Sequence, residues 1–135
     1  MIEALAYAGR HLNDSRYVQA AVTAADGVFE LLGPDVSDSG HLLRVHRNGR
    51  ARHAGYLDDF AYMTLALLEL HETTQDARWL TTAGTLADEM IERFEDRDSG
   101  AFFFSAEHHD ELIMRSKGLT GGGNVPSGNG VAVRV

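Results

Sequence analysis

At 135 residues, 44% apolar and 24% charged, the chain has the proportions of one globular domain with a single core. Its formal charge of −8, from 20 acids against 12 Lys plus Arg, makes a surface that repels phosphate backbones and argues against nucleic-acid binding. The absence of cysteine excludes disulfides, thiolate metal sites and thiol nucleophiles, and no apolar stretch approaches the ~20 residues of a membrane span or follows a basic start as in a signal peptide, so a cytoplasmic protein without membrane contact is expected.

The elements follow in chain order. Ile2, Leu5, Ala6, Gly9 and Leu12 recur at helical spacing. A second helix starts at about Asp14, whose carboxylate can accept backbone N–H bonds; its apolar face is Tyr17, Ala21, Ala24, Ala25, Val28 and Leu32, and Gly33-Pro34 stops it. Between Leu42 and Arg52, Asn48-Gly49 is the pair favoured in tight type I′ hairpin turns. The same stretch holds Arg44, Arg47, Arg50 and Arg52, a basic exception on an acidic chain that reads as a solvated, charged hairpin. A helix of about 56–73 follows, apolar nearly all round, and such a helix must be covered on most sides. Asp76 caps the next helix, which presents Trp79, Leu80, Ala83, Leu86, Ala87, Met90, Ile91 and Phe94 on one face. Short strands at 101–104 and 112–114 are expected around a polar loop, and a further helix begins near Ser127.

These elements repeat. Asp14-Ser15-Arg16-Tyr17-Val18 matches Asp76-Ala77-Arg78-Trp79-Leu80 at an offset of 76 − 14 = 62, and Ala21 with Ala83 and Ala25-Asp26 with Ala87-Asp88 keep that offset. Asp38-Ser39-Gly40 answers Asp98-Ser99-Gly100 after a short deletion. The expectation is an all-α chain of helical hairpins carrying small β-hairpins, with units at about 1–54, 55–124 and 125–135. The amphipathic helices form an outer layer and the apolar one an inner layer of an αα-hairpin ring. A plain two-layer helix stack is the structural alternative.

The run Gly55-Tyr56-Leu57-Asp58-Asp59-Phe60-Ala61-Tyr62, then Leu67 to Asp76, Trp79-Leu80, Phe94, Asp98 to Phe104, Arg115-Ser116-Lys117 and Pro126-Ser127-Gly128-Asn129 resemble, in order and spacing, the YyaL-type or spermatogenesis-associated thioredoxin-domain-containing family. The resemblance implies a segment of that family's six-hairpin (α/α)6 domain, similar to glycosidases and N-acylglucosamine 2-epimerases: two hairpins and the start of a third. The family's thioredoxin-like unit has no counterpart in this cysteine-free sequence. Gly122 stands where the family carries an aspartate, which puts chemistry borne by that carboxylate in doubt.

Candidate site residues gather at the starts of the inner helices. Asp58 and Asp59 are read either as a cap and a partner for the positive helix end, or as carboxylates facing a sugar pocket as acid, base or hydroxyl acceptor. Neighbouring helical residues point ~100° apart, so they do not form a facing catalytic pair by themselves. His53, just upstream, is the histidine placed for proton chemistry. Tyr56, Tyr62, Arg115, Lys117, Ser127 and Asn129 are the substrate-binding candidates at the same rim, read alternatively as caps and turn residues. No metal or cofactor is expected. His108-His109-Asp110-Glu111 reads as a solvated loop tip, Asp96 to Gly100 misses calcium-loop spacing, and Gly123 to Gly128 lacks the Lys-Ser/Thr of a phosphate loop.

The expected function is carbohydrate binding or modification, with neither epimerase nor glycosidase chemistry favoured. A non-catalytic scaffold, or a segment without independent activity, is the rival. Two hairpins would leave apolar flanks open, so a homo-oligomer, most simply a dimer, is expected.

Overall fold

A computed structural model describes residues 1–33, 41–106, 116–117 and 124–135. Two helical hairpins come first. Helix α1 (Ile2–Leu12) ends on Asn13 in the left-handed region at φ 52°, and α2 (Ser15–Leu32) starts at once, capped by Asp14, whose carboxylate accepts from the Arg16 N–H at 3.0 Å. The second unit repeats the junction. Helix α3 (Leu57–Thr74) ends on left-handed Gln75 at φ 57°, and α4 (Ala77–Phe94) is capped by Asp76, which accepts from the Arg78 N–H at 3.0 Å. The offset-62 match is therefore a match of structure: helix, one left-handed residue, Asp cap, helix.

Between the units lies the antiparallel hairpin β1 (Leu43–Arg47) and β2 (Arg50–Ala54). Asn48 and Gly49 turn it at φ 53° and 74°, as both central residues of a type I′ turn require. After α4, β3 (Glu95–Asp96) pairs with β4 (Ala101–Phe102), and α5 (Gly128–Ala132) opens a third unit.

The short strand expected at 101–104 is paired over Ala101–Phe102, and its partner is β3. The reason is the turn at 96–100: the Asp96 carboxylate accepts from the Asp98 N–H and the Ser99 hydroxyl, and Gly100 adopts φ 68°, which folds the chain back immediately. The expected strand at 112–114, the loop at 107–111, Arg115, Gly122 and Asp38-Ser39-Gly40 lie outside the described residues.

Helix α3 is the centre of the packing, in contact with α1, α2, α4 and α5. It buries Leu57, Phe60, Ala61, Thr64, Ala66, Leu67 and Leu70, as its all-round apolarity demands. Helices α2 and α4 each bury one stripe, small in α2 (Ala21, Ala25) and large in α4 (Trp79, Leu86, Met90, Phe94). Phe60 and Phe94 meet with ring centroids 5.3 Å apart. Ion pairs bridge the units, Arg10 to Glu69 and Arg78 to Asp26, each at 2.8 Å. The described chain is thus mainly helical with two small strand pairs. Among the described residues, no helix is long and apolar enough to cross a membrane.

A candidate ligand cleft at the start of the central helix

A cleft of about 470 Å³ opens where α1, α2, α3 and β1 meet. Ile2, Val28, Leu32, Leu42, Met63 and Ala66 contribute its apolar wall, and Arg44, Asp58, Asp59 and Tyr62 its polar edge.

The two aspartates at the start of α3 have different tasks. Asp59 sits at N3 and accepts from the Tyr56 N–H at 2.9 Å, the backward half of a capping box. The same oxygen accepts from the Arg44 guanidinium at 2.7 Å. Arg44 in turn lies over the Tyr56 ring at 4.7 Å, and Tyr56 stacks on Phe104 at 4.8 Å. Asp59 is thereby fixed as a cap.

Asp58 abuts the start of α5, its Oδ1 standing where a Cβ of Gly128 would be. Burial is the main reason its carboxyl titrates above the ordinary 3.8, and the charge of Asp59 adds to it; the Gly128 N–H and Arg44 act in the opposite direction. Tyr62, one turn further along α3, donates its hydroxyl to the Pro126 carbonyl at 2.8 Å. Its phenol is pushed up by burial and then by the charges of Asp58 and Glu3.

Ser127 and Asn129 stand at the same end of the bundle with their polar atoms already bonded. Ser127 caps α5 by accepting from the Gly130 N–H at 3.1 Å. Asn129 is about nine-tenths buried; its Oδ1 accepts from the Phe102 N–H at 2.8 Å, and its Nδ2 donates to the carbonyls of Phe102 at 2.9 Å and Lys117 at 2.6 Å. Lys117 points its ammonium to Ser99 at 2.8 Å and to Asp96, clasping the β3–β4 turn. His53 lies in β2, exposed at a left-handed φ of 62°, among the hairpin arginines and not in the cleft. Arg115 lies outside the described residues.

Of the sequence candidates, the cleft thus gathers Asp58, Asp59 and Tyr62, with Tyr56 behind Arg44 and Ser127 next to the glycine that Asp58 abuts. Three further residues act on these groups: Arg44 lines the cleft, Gly128 packs against Asp58, and the charge of Glu3 reaches Tyr62. Arg44 was legible only as one of a run of arginines. Gly128 stands between the polar candidates Ser127 and Asn129 and has no side chain to mark it. Glu3, in the first turn of α1, carries no motif. The edge supplies one carboxylate that is not a cap, Asp58, which is suited to accept a hydroxyl or ammonium hydrogen. Asp58 and Asp59 do not form the two separated carboxylates that glycoside hydrolysis uses. Among the described residues, no group of three His, Asp or Glu is placed to hold a metal ion.

These features define a helical-hairpin repeat segment with an amphipathic cleft at the head of its central helix. The chain is homologous to spermatogenesis-associated protein 20: it is 31% identical to the human protein over 141 residues, covering 98% of this chain and 18% of the human one. The rat and mouse proteins of that name are each 37% identical over 79 residues, which cover 58% of this chain and 10% of theirs. The chain therefore spans less than a fifth of the length of these relatives. No family model matches it.

Proposed function

We propose that this chain is an arc of an αα-hairpin ring of the glycosidase- and epimerase-like kind, and that its cleft binds a carbohydrate. The observation that carries the reading is Asp58: a partly buried carboxylate packed against Gly128, on the polar edge it shares with Arg44, Asp59 and Tyr62 beside the apolar wall of the cleft. A sugar ring offers hydroxyl donors along its edge and C–H groups on its faces, which suits a carboxylate acceptor next to an apolar wall. In this reading Asp58 accepts from sugar hydroxyls and is the group able to exchange a proton, with Tyr62 beside it. Asp59, Ser127, Asn129 and Lys117 hold the frame. The segment would act within a longer protein, and the exposed Tyr7 and Leu12 of α1 favour association of copies when it stands alone.

The test is thermal unfolding with a panel of monosaccharides and amino sugars. A ligand at ~100 times its dissociation constant adds ~2.7 kcal/mol of stability, and Asp58→Asn should remove most of that gain. The scaffold reading draws on the closed bonding of Asp59, Ser127, Asn129 and Lys117, and it predicts that no sugar raises the unfolding temperature.

A further inference from the structure

The hairpin β1–β2 carries a charge arrangement that its own folding does not call for. Its register sets Arg47 directly opposite Arg50 and Val45 opposite Arg52. Cross-strand partners share a face, as do residues two apart along a strand, so Arg47, Arg50 and Arg52 crowd one face. Like charges directly opposite each other destabilise a strand pair. These three side chains, with Val45, Asn48 and His53, line a hollow of about 620 Å³.

Five other arginines are neutralised, while Arg97 and Arg134 stand singly at exposed positions. Arg10, Arg16, Arg44, Arg78 and Arg93 each pair with a carboxylate. Among the described residues, Arg47, Arg50 and Arg52 have no such partner, although the chain as a whole carries a charge of −8. The cationic face is therefore local and concave, and not a share of general surface charge.

We propose that this face is a binding site for a small phosphate-bearing ligand. Arginine forks deliver paired N–H donors that match phosphate oxygens, and guanidiniums on facing strands are close enough to bridge one multiply charged anion. Such an anion turns the Arg47–Arg50 repulsion into a joint attraction, and the Asn48 side chain at the turn adds an amide donor. The site is separate from the Asp58 cleft, from which Arg47, Arg50 and Arg52 are absent.

The experiment is calorimetric titration of the full chain with inorganic pyrophosphate, inorganic phosphate and a short polyglutamate peptide at matched low ionic strength. Saturable pyrophosphate binding is expected, weakened ~10-fold by Arg50→Gln/Arg52→Gln and unchanged by Asp58→Asn. Arg97→Gln/Arg134→Gln removes the same charge from exposed positions elsewhere and should leave binding intact; circular dichroism checks that both double variants keep their helices. No saturation, equal weakening by the two double variants, or tighter binding of polyglutamate than of pyrophosphate would overturn the proposal.

Discussion

Gly128 and Asp58 are fitted to one another: a Cβ at position 128 would overlap Asp58 Oδ1, and the nearby Gly128 N–H favours the charged form of that carboxyl. The start of α5 is thus docked on the start of α3 by an approach that only glycine permits. Gly128→Ala should cost ~1–3 kcal/mol in denaturant unfolding. Combining it with Asp58→Ala should cost less than the sum of the single changes, because the second substitution removes the atom that clashes. Strict additivity would mean the two positions are not in contact.

The titration of Asp58 gives a signed dependence on pH. Its folded carboxyl titrates above the ordinary 3.8, so its contribution to stability is fully present below that value and is lost as pH rises through the raised one. Asp58→Asn keeps the shape of the side chain and cannot ionise. Denaturant midpoints compared from about pH 3 to about pH 7 should show the wild type losing ground to Asp58→Asn as pH rises. The opposite trend would place the carboxylate in surroundings that favour its charge.

Asp96 has the reverse sign. Bonds from Lys117 first, then from Ser99, hold its carboxyl down at about 2. Its contribution is present above the ordinary 3.8 and is lost as pH falls through about 2. Lys117→Met should move the Asp96 carboxyl resonance in an NMR titration back toward its ordinary midpoint. An unmoved midpoint would show that the ammonium does not reach it.

Asn129 is a structural amide by its bonds. Asn129→Ala leaves the Phe102 N–H and carbonyl and the Lys117 carbonyl without their partner, at ~1–3 kcal/mol for each group that stays buried and unpaired. Asn129→Asp should be nearly as damaging, since it replaces two donors with acceptors facing carbonyls. Equilibrium unfolding checks both, and a neutral Asn129→Asp would contradict the bonding described.

Local chemistry made much of the fold readable in advance. Asp14 and Asp76 announced their helices as caps, Asn48-Gly49 its hairpin, and the all-round apolarity of 57–74 its central place. The pairing of β4 with β3 was hidden because the turn that sets it consists of the Asp96 carboxylate folding back on Asp98 and Ser99. The cleft was legible in part. Asp58 and Tyr62 lie on one helix four residues apart, a relation that helical spacing gives directly. The split between Asp58 and Asp59 was not legible, because it depends on Arg44 arriving from β1 and Gly128 from α5. His53 stands close to Asp58 in sequence, yet β2 carries it to the hairpin face, since sequence distance does not fix which way a strand presents its side chains.

The most direct measurement of the central claim is an amide NMR titration of the chain with the sugar that raises its unfolding temperature most. Carbohydrate binding at the cleft predicts saturable shifts concentrated on Arg44, Asp58, Tyr62, Met63 and Gly128, and their loss in Asp58→Asn. Shifts scattered over the surface, or unchanged in Asp58→Asn, would contradict it.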